Sequence, residues 1–184
     1  NAEQRVFGRV GELQRFTRAG TVLGVVGCMA QRLGPALLAQ VPRVDLVAGP
    51  DAYRNLPDLI RQALGGGRVL DTEFRSWEHY EDVPQVREPG PMAFVTVQRG
   101  CDYKCTFCIV PYTRGPERSR SLGEVVREVA SLAATGTTEV TLLGQTVNSY
   151  HDGTHDFGDL LRAVGAVDGV RRVRFTSPYP TDFT

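Results

Sequence analysis

Apolar residues recur along this chain with two periods. Val6, Val10, Leu13 and Phe16 return at helical spacing, which predicts a helix over residues 2 to about 18. Residues 21–26 (TVLGVV) and 44–48 (VDLVA) are short apolar runs that predict buried strands, the first ending at Gly27-Cys28. A helix is predicted between them, from 31 to about 40. Gly49-Pro50 breaks the chain, and Asp51 is placed to cap a helix running to about Leu64. Strands alternating with helices predict a parallel α/β unit over residues 1–66, with only two strands visible.

Gly65-Gly66-Gly67 closes that unit. Residues 71–90 (DTEFRSWEHYEDVPQVREPG) are polar, carry prolines and show no sustained period, so 67–90 reads as an interdomain linker. Trp77 and Tyr80 pack there or pin it to a surface. A second α/β series fills 91–184. Residues 93–98 (AFVTVQ) predict a strand leading straight into a cysteine-rich loop. Ser121 and Glu124 have the spacing of a capping box, opening a helix with Val125, Val126, Val129 and Leu132 on its apolar face. Further strands are expected at 139–143 and 173–175, with a helix over 159 to about 167. In parallel α/β architectures ligands sit beyond the carboxyl ends of the strands. By that rule Gly100-Cys101, Gly144-Gln145 and Thr176-Ser177 face one common site.

Composition narrows the setting. The 184 residues are 41% hydrophobic and 23% charged, which is ordinary globular composition and excludes a disordered chain. No apolar run approaches the roughly 20 residues of a membrane span, and the start lacks a signal-peptide pattern, so a cytoplasmic protein with no membrane partner is expected. Formal net charge is zero, so no global field favours nucleic acid. Lys104 is the one lysine, and arginine carries the remaining cationic charge. The missing initiator Met and the stop at Thr184, just after an expected strand, point to an internal fragment of a longer protein.

Of the four cysteines, Cys101, Cys105 and Cys108 share one loop and Cys28 stands apart, a poor disulfide framework. A short irregular loop with spacings of four and three can aim three thiolates at one centre, and thiolates are the soft ligands of iron–sulfur clusters. A cubane cluster takes four ligands, so three cysteines leave one iron open to bind a reactant. The competing metal is structural zinc, with Cys28 or a histidine such as His151 or His155 completing the set. That reading makes the chain a non-catalytic zinc module contacting RNA, but the second cysteine knuckle it requires is missing.

The loop together with Phe107 resembles the radical S-adenosylmethionine (SAM) signature. The longer match, GCDYKCTFCIVPYTRGPERSR, then EVTLLGQTVNSY, then RFTSPYP, with GCMAQ around Cys28, resembles the tRNA methylthiotransferases that make 2-methylthio-N6-isopentenyladenosine, the MiaB type. The likeness runs over nearly the whole chain. It implies a partial N-terminal methylthiotransferase domain followed by a partial radical SAM (β/α) barrel, within an α/β fold. It implies two [4Fe-4S] clusters: one held by Cys101, Cys105 and Cys108 and binding SAM, the other held by Cys28 with two cysteines outside this chain. Phe107 would lie near the cofactor's adenine or pack within the loop. Gly144 and Gln145 would receive the cofactor's amino group, unless Gln145 meets substrate instead. Thr176 and Ser177 would bond its ribose or carboxylate, or cap a turn. Arg114, Arg118 and Arg120 form a local basic patch suited to a carboxylate or RNA phosphate, and with Asn148 would bind substrate. The implied enzyme is a monomeric transferase. Its partners are tRNA and an electron donor of flavodoxin or ferredoxin type. As this fragment it would be inactive, because the later barrel half and an RNA-binding domain are missing. Its relatives act on threonylcarbamoyl-adenosine in tRNA or on a ribosomal protein aspartate, and GQTVN resembles the isopentenyladenosine type.

Overall fold

The computed structural model describes residues 2–80, 83 and 87–183. The chain divides into two compact units, Asn1–Glu78 with Tyr112–Arg114, and His79–Pro111 with Gly115–Thr184.

The first unit opens with α1 (Ala2–Leu13) and lays β1 (Gly24–Val26), β2 (Leu46–Ala48) and β3 (Val69–Asp71) side by side, all parallel, in the order β1-β2-β3. β2 is central and buried on both faces, as its continuous apolar run requires. Val47 packs on one face with Val25, Leu37 and Val10, while Leu46 and Ala48 meet Ala52 and Leu59 on the other. The helix expected over 31–40 is two helices, α2 (Cys28–Leu33) and α3 (Pro35–Gln40). Gly34 between them has φ +50, and Pro35 cannot donate the backbone bond that a continuous helix needs. β3 lies inside the stretch read as a linker. Its two apolar residues are too few to show a period, and pairing with β2 supplies the order that its own sequence lacks. Asp51 is not the N-cap of α4, which begins at Leu56 after Asn55 and runs to Leu64. A short helical turn, Tyr53–Asn55, leads into it, and the buried Asp51 carboxylate accepts the Arg75 backbone N–H at 3.0 Å.

In the second unit β4 (Met92–Thr96), β7 (Glu139–Leu143) and β8 (Arg172–Phe175) form a parallel sheet in the order β4-β7-β8. Val95, Val97, Val140 and Leu142 from the strands pack against Val125 and Val129 of α6 (Leu122–Ala134) and Leu160 and Val164 of α7 (Phe157–Gly165). Each such burial contributes roughly 1.5–3 kcal/mol. Beyond Val97 the chain leaves the sheet as β5 (Gln98–Arg99), which pairs antiparallel with β6 (Arg118–Ser119). The short helix α5 (Val110–Arg114) lies between them in sequence. Ser121 does sit at the start of α6, but its side chain makes no cap bond. Asp152 takes that role from thirty residues away in sequence, accepting the Leu122 N–H at 2.8 Å. A reciprocal capping box forms instead on α7, between Asp156 and Asp159.

Candidate functional site

The strand ends of the second unit meet through side-chain amides. Gln98, fully buried at the start of β5, accepts the backbone N–H groups of Gln145 (2.8 Å) and Thr146 (3.3 Å) on Oε1 and donates Nε2 to the Gly100 carbonyl (3.2 Å). Gln145 returns the tie, its Oε1 accepting the Gly100 N–H at 2.8 Å. The end of β5 and the end of β7 are therefore cross-linked from both sides. The end of β8 joins them. Val147 N–H donates to the Ser177 carbonyl (3.2 Å), and Asn148 brackets the Tyr179 peptide groups, donating to its carbonyl (2.8 Å) and accepting its N–H (2.6 Å).

Gly100 turns the chain out of β5 with φ +75, and a Cβ there would meet the Pro116 carbonyl oxygen at 1.9 Å, so no other residue fits. Beyond it, 101–105 forms no regular backbone structure. Cys101 is buried beside the Thr146 hydroxyl, Sγ to Oγ1 3.1 Å, while Cys105 and Cys108 are half-buried and joined by a backbone turn. Phe107 is 95% exposed, which rules out packing within the loop. Tyr103 stacks on Tyr179 with ring centroids 4.2 Å apart and donates its hydroxyl to Asp182, a bond that holds its phenol up at about 12.

Beside the loop, Asp102, Tyr103, Glu117, Ser119, Ser149 and His151 line a cavity of about 440 Å³. Burial raises the Glu117 carboxyl above its ordinary range, hydrogen bonds from Ser149 and Gln98 oppose the rise, and the Asp102 and Asp182 charges add to it.

The remaining expected residues are placed as follows. Thr176 and Ser177 are exposed at the end of β8, and Ser177 holds φ +57, a strained conformation for a non-glycine residue. Gly144 has no room for a side chain, because a Cβ would lie 2.6 Å from Gln98 Oε1. Arg114, Arg118 and Arg120 do not form a shared surface patch. Arg118 and Arg120 lie two residues apart on one face of an extended segment, and that face is turned inward. Arg120 bonds the Glu128 carboxylate (2.6 Å) and the Thr96 carbonyl (2.9 Å), while Arg114 is grouped with the first unit and donates Nε to Cys28 Sγ at 3.1 Å. Cys28 itself opens α2 directly after Gly27.

The three thiols fit an iron–sulfur cluster in their chemistry. They are soft donors on one irregular loop, with no strand pairing to hold them apart. Among the described residues no three His, Cys, Asp or Glu side chains are gathered closely enough to hold a metal ion. Sequence reasoning took Gln98 for the last residue of a strand and passed over Glu117 and Ser149. A buried-strand pattern ending in glutamine immediately before Arg-Gly-Cys was the signal available.

Residues 95–183 match the Radical SAM superfamily model. Across its full length the chain is 45% identical to a tRNA-2-methylthio-N(6)-dimethylallyladenosine synthase of Alkalilimnicola ehrlichii, covering 42% of that protein. It is 42% identical to the enzyme of the same name from Pasteurella multocida, covering 40% of it. The chain thus spans about two-fifths of the length of the curated relatives it matches. In fold it is similar to a radical S-adenosylmethionine methyltransferase from Kitasatospora setae, solved with tryptophan and a SAM analog. The TM-score is 0.52 at 18% identity, over 92% of this chain and 43% of that one.

Proposed function

Because residues 95–183 match the Radical SAM superfamily model and the whole chain is similar to tRNA-2-methylthio-N(6)-dimethylallyladenosine synthases, we propose that it is part of a radical SAM enzyme that methylthiolates C2 of N6-isopentenyladenosine in tRNA. The observation that carries this reading is the meeting of the ends of β5, β7 and β8 around a loop bearing three thiols.

In this reading Cys101, Cys105 and Cys108 hold an iron–sulfur cluster with one open iron, and Cys28 is one ligand of a second cluster. When bound with SAM, the first cluster supplies the electron that cleaves the cofactor and so begins hydrogen abstraction from the adenine. The protein's own residues hold and shield that chemistry. Gln145 fixes the Gly100 N–H, and with it the direction in which the loop leaves β5. Tyr103 and Tyr179 wall the loop against the end of β8, and the exposed Phe107 ring offers a stacking face for an adenine. Asn148, bonded to the Tyr179 backbone, shapes the site instead of reaching substrate. Arg120, buried against Glu128, likewise acts as framework. Among the described residues no helix is long and apolar enough to cross a membrane. A monomer in the cytoplasm, working with tRNA and an electron donor of flavodoxin or ferredoxin type, completes the proposal.

The test is tRNA from a strain lacking the gene, complemented with the full-length protein and analysed by nucleoside mass spectrometry. Return of 2-methylthio-N6-isopentenyladenosine is expected. Methylthiolation of threonylcarbamoyl-adenosine, or of a ribosomal protein aspartate, with isopentenyladenosine left unmodified, would overturn the substrate assignment.

A further inference from the structure

Gln98 is fully buried, and its carboxamide is tied to three backbone groups. Its Oε1 takes the Gln145 and Thr146 N–H groups, its Nε2 gives to the Gly100 carbonyl, and the carboxamide also bonds the Glu117 carboxylate. Glu117 in turn accepts the Ser149 hydroxyl at 2.6 Å. One side chain thus joins the cysteine loop, the turn at 144–146 and the segment before β6.

Its hold on the 144–146 turn has a directional consequence. The described peptides are trans, and a trans peptide points its N–H and C=O to opposite sides. Because both N–H groups face Gln98, the partner carbonyls, those of Gly144 and Gln145, face away from it. The same turn touches the cysteine loop through the Thr146 hydroxyl, 3.1 Å from Cys101 Sγ. Gly144 is required by this arrangement, since any Cβ would collide with Gln98 Oε1 at 2.6 Å.

We propose that Gln98 is a positioning residue for the cofactor. By drawing both N–H groups of the turn to its own carboxamide, it presents the Gly144 and Gln145 carbonyls as paired acceptors for the ammonium group of SAM beside Cys101. The inference rests on the reading of the cysteine loop as a SAM site. Gln98 touches neither cofactor nor metal and acts through the two peptides.

The test uses the full-length protein, reconstituted anaerobically, with Gln98→Leu, which has no hydrogen-bonding groups, and Gln98→Asn, which retracts the amide by one carbon. Iron per chain, hydrogen exchange of the 144–146 amides, and SAM affinity from the titrated change in the reduced-cluster electron paramagnetic resonance spectrum are measured together. Both variants are expected to carry iron at the unsubstituted level, to exchange the Gln145 and Thr146 amides faster, and to bind SAM at least about tenfold more weakly. 5′-Deoxyadenosine formation would recover at saturating SAM, a KM effect. If Gln98→Leu does not fold, Gln98→Asn alone carries the comparison. Variants that bind SAM as the unsubstituted protein does overturn the role of Gln98 alone. An unsubstituted protein that takes up iron but does not respond to SAM overturns the cofactor site, and this role with it.

Discussion

Each unit sets three parallel strands side by side, β1-β2-β3 in the first and β4-β7-β8 in the second, yet their carboxyl ends are closed by different chemistry. In the first unit ion pairs are added to the amide ties that Gln31 makes to the Thr72 carbonyl and Asn55 to Asp71. Arg75 pairs with Asp71 at 3.0 Å while its backbone N–H goes to Asp51, and Arg54 pairs with the buried Glu78 at 2.7 Å. β1 there passes through a single glycine into α2, so its end displays one thiol, Cys28, at a fixed helical position. In the second unit the ties are the neutral amides of Gln98, Gln145 and Asn148, and β5 opens into an irregular loop with three thiols. A helix spaces its side chains by its own geometry, whereas an irregular loop can turn three of them toward one centre. Neutral ties also hold the frame without placing a permanent charge against the thiols.

The comparison can be broken most severely at Cys101. Cys101→Ala in the full-length protein is expected to remove the cluster of the second unit and abolish 5′-deoxyadenosine formation, read by iron analysis and chromatography. Cys28→Ala should leave that cluster in place, and equal losses from both substitutions would erase the distinction between the units. Next in size is Arg75→Ala, which leaves the Asp71 carboxylate buried without its cationic partner, held only by the Asn55 amide and the Glu73 N–H. With both side chains largely buried (14% and 10% exposed), about 3 kcal/mol of stability is expected to be lost, read by denaturant unfolding. Gly144→Ala drives a methyl into Gln98 Oε1 and toward the Val147 backbone, and about 2 kcal/mol is expected from the same measurement.

The smallest effect concerns a charged tie in the second unit, Asp152 at the start of α6. Burial alone would raise its carboxyl, but the Leu122, His155 and Thr154 N–H groups and the His155 ring hold it well below the ordinary carboxylate range. A carboxyl held down in the folded state stabilises the fold above the unfolded value of about 4 and loses that contribution as the pH falls through and below it. Asp152→Asn should therefore cost about 1.5 kcal/mol at neutral pH. The gap to the unsubstituted protein should shrink steadily in acid unfolding below about pH 4.

What the sequence made legible follows from the range over which each feature is determined. β7 was readable at 139–143 because burial alternates along its own five residues between turn signals. The spacing of Cys101, Cys105 and Cys108 is likewise local and marked the site at once. β3 was not readable, since two apolar residues before a polar stretch make a strand only when β2 lies alongside. Ser121 looked like a cap, yet the cap is Asp152, and no local pattern announces a partner thirty residues away. Gln98 escaped for the same reason, as the amides it holds lie 47 and 48 positions on. Arg118 and Arg120 read as a basic surface because charge counts carry no information on which face a short strand buries.

The most direct test of the central claim is the electron paramagnetic resonance spectrum of the reduced full-length protein before and after SAM is added, alongside its metal content. The account predicts iron and sulfide at about four each for the cluster of the second unit. A component of the reduced-cluster signal should change on adding SAM and disappear in Cys101→Ala, while the component from the cluster that includes Cys28 is retained. Stoichiometric zinc with no reducible chromophore, or a spectrum in which no component responds to either SAM or Cys101→Ala, would contradict this.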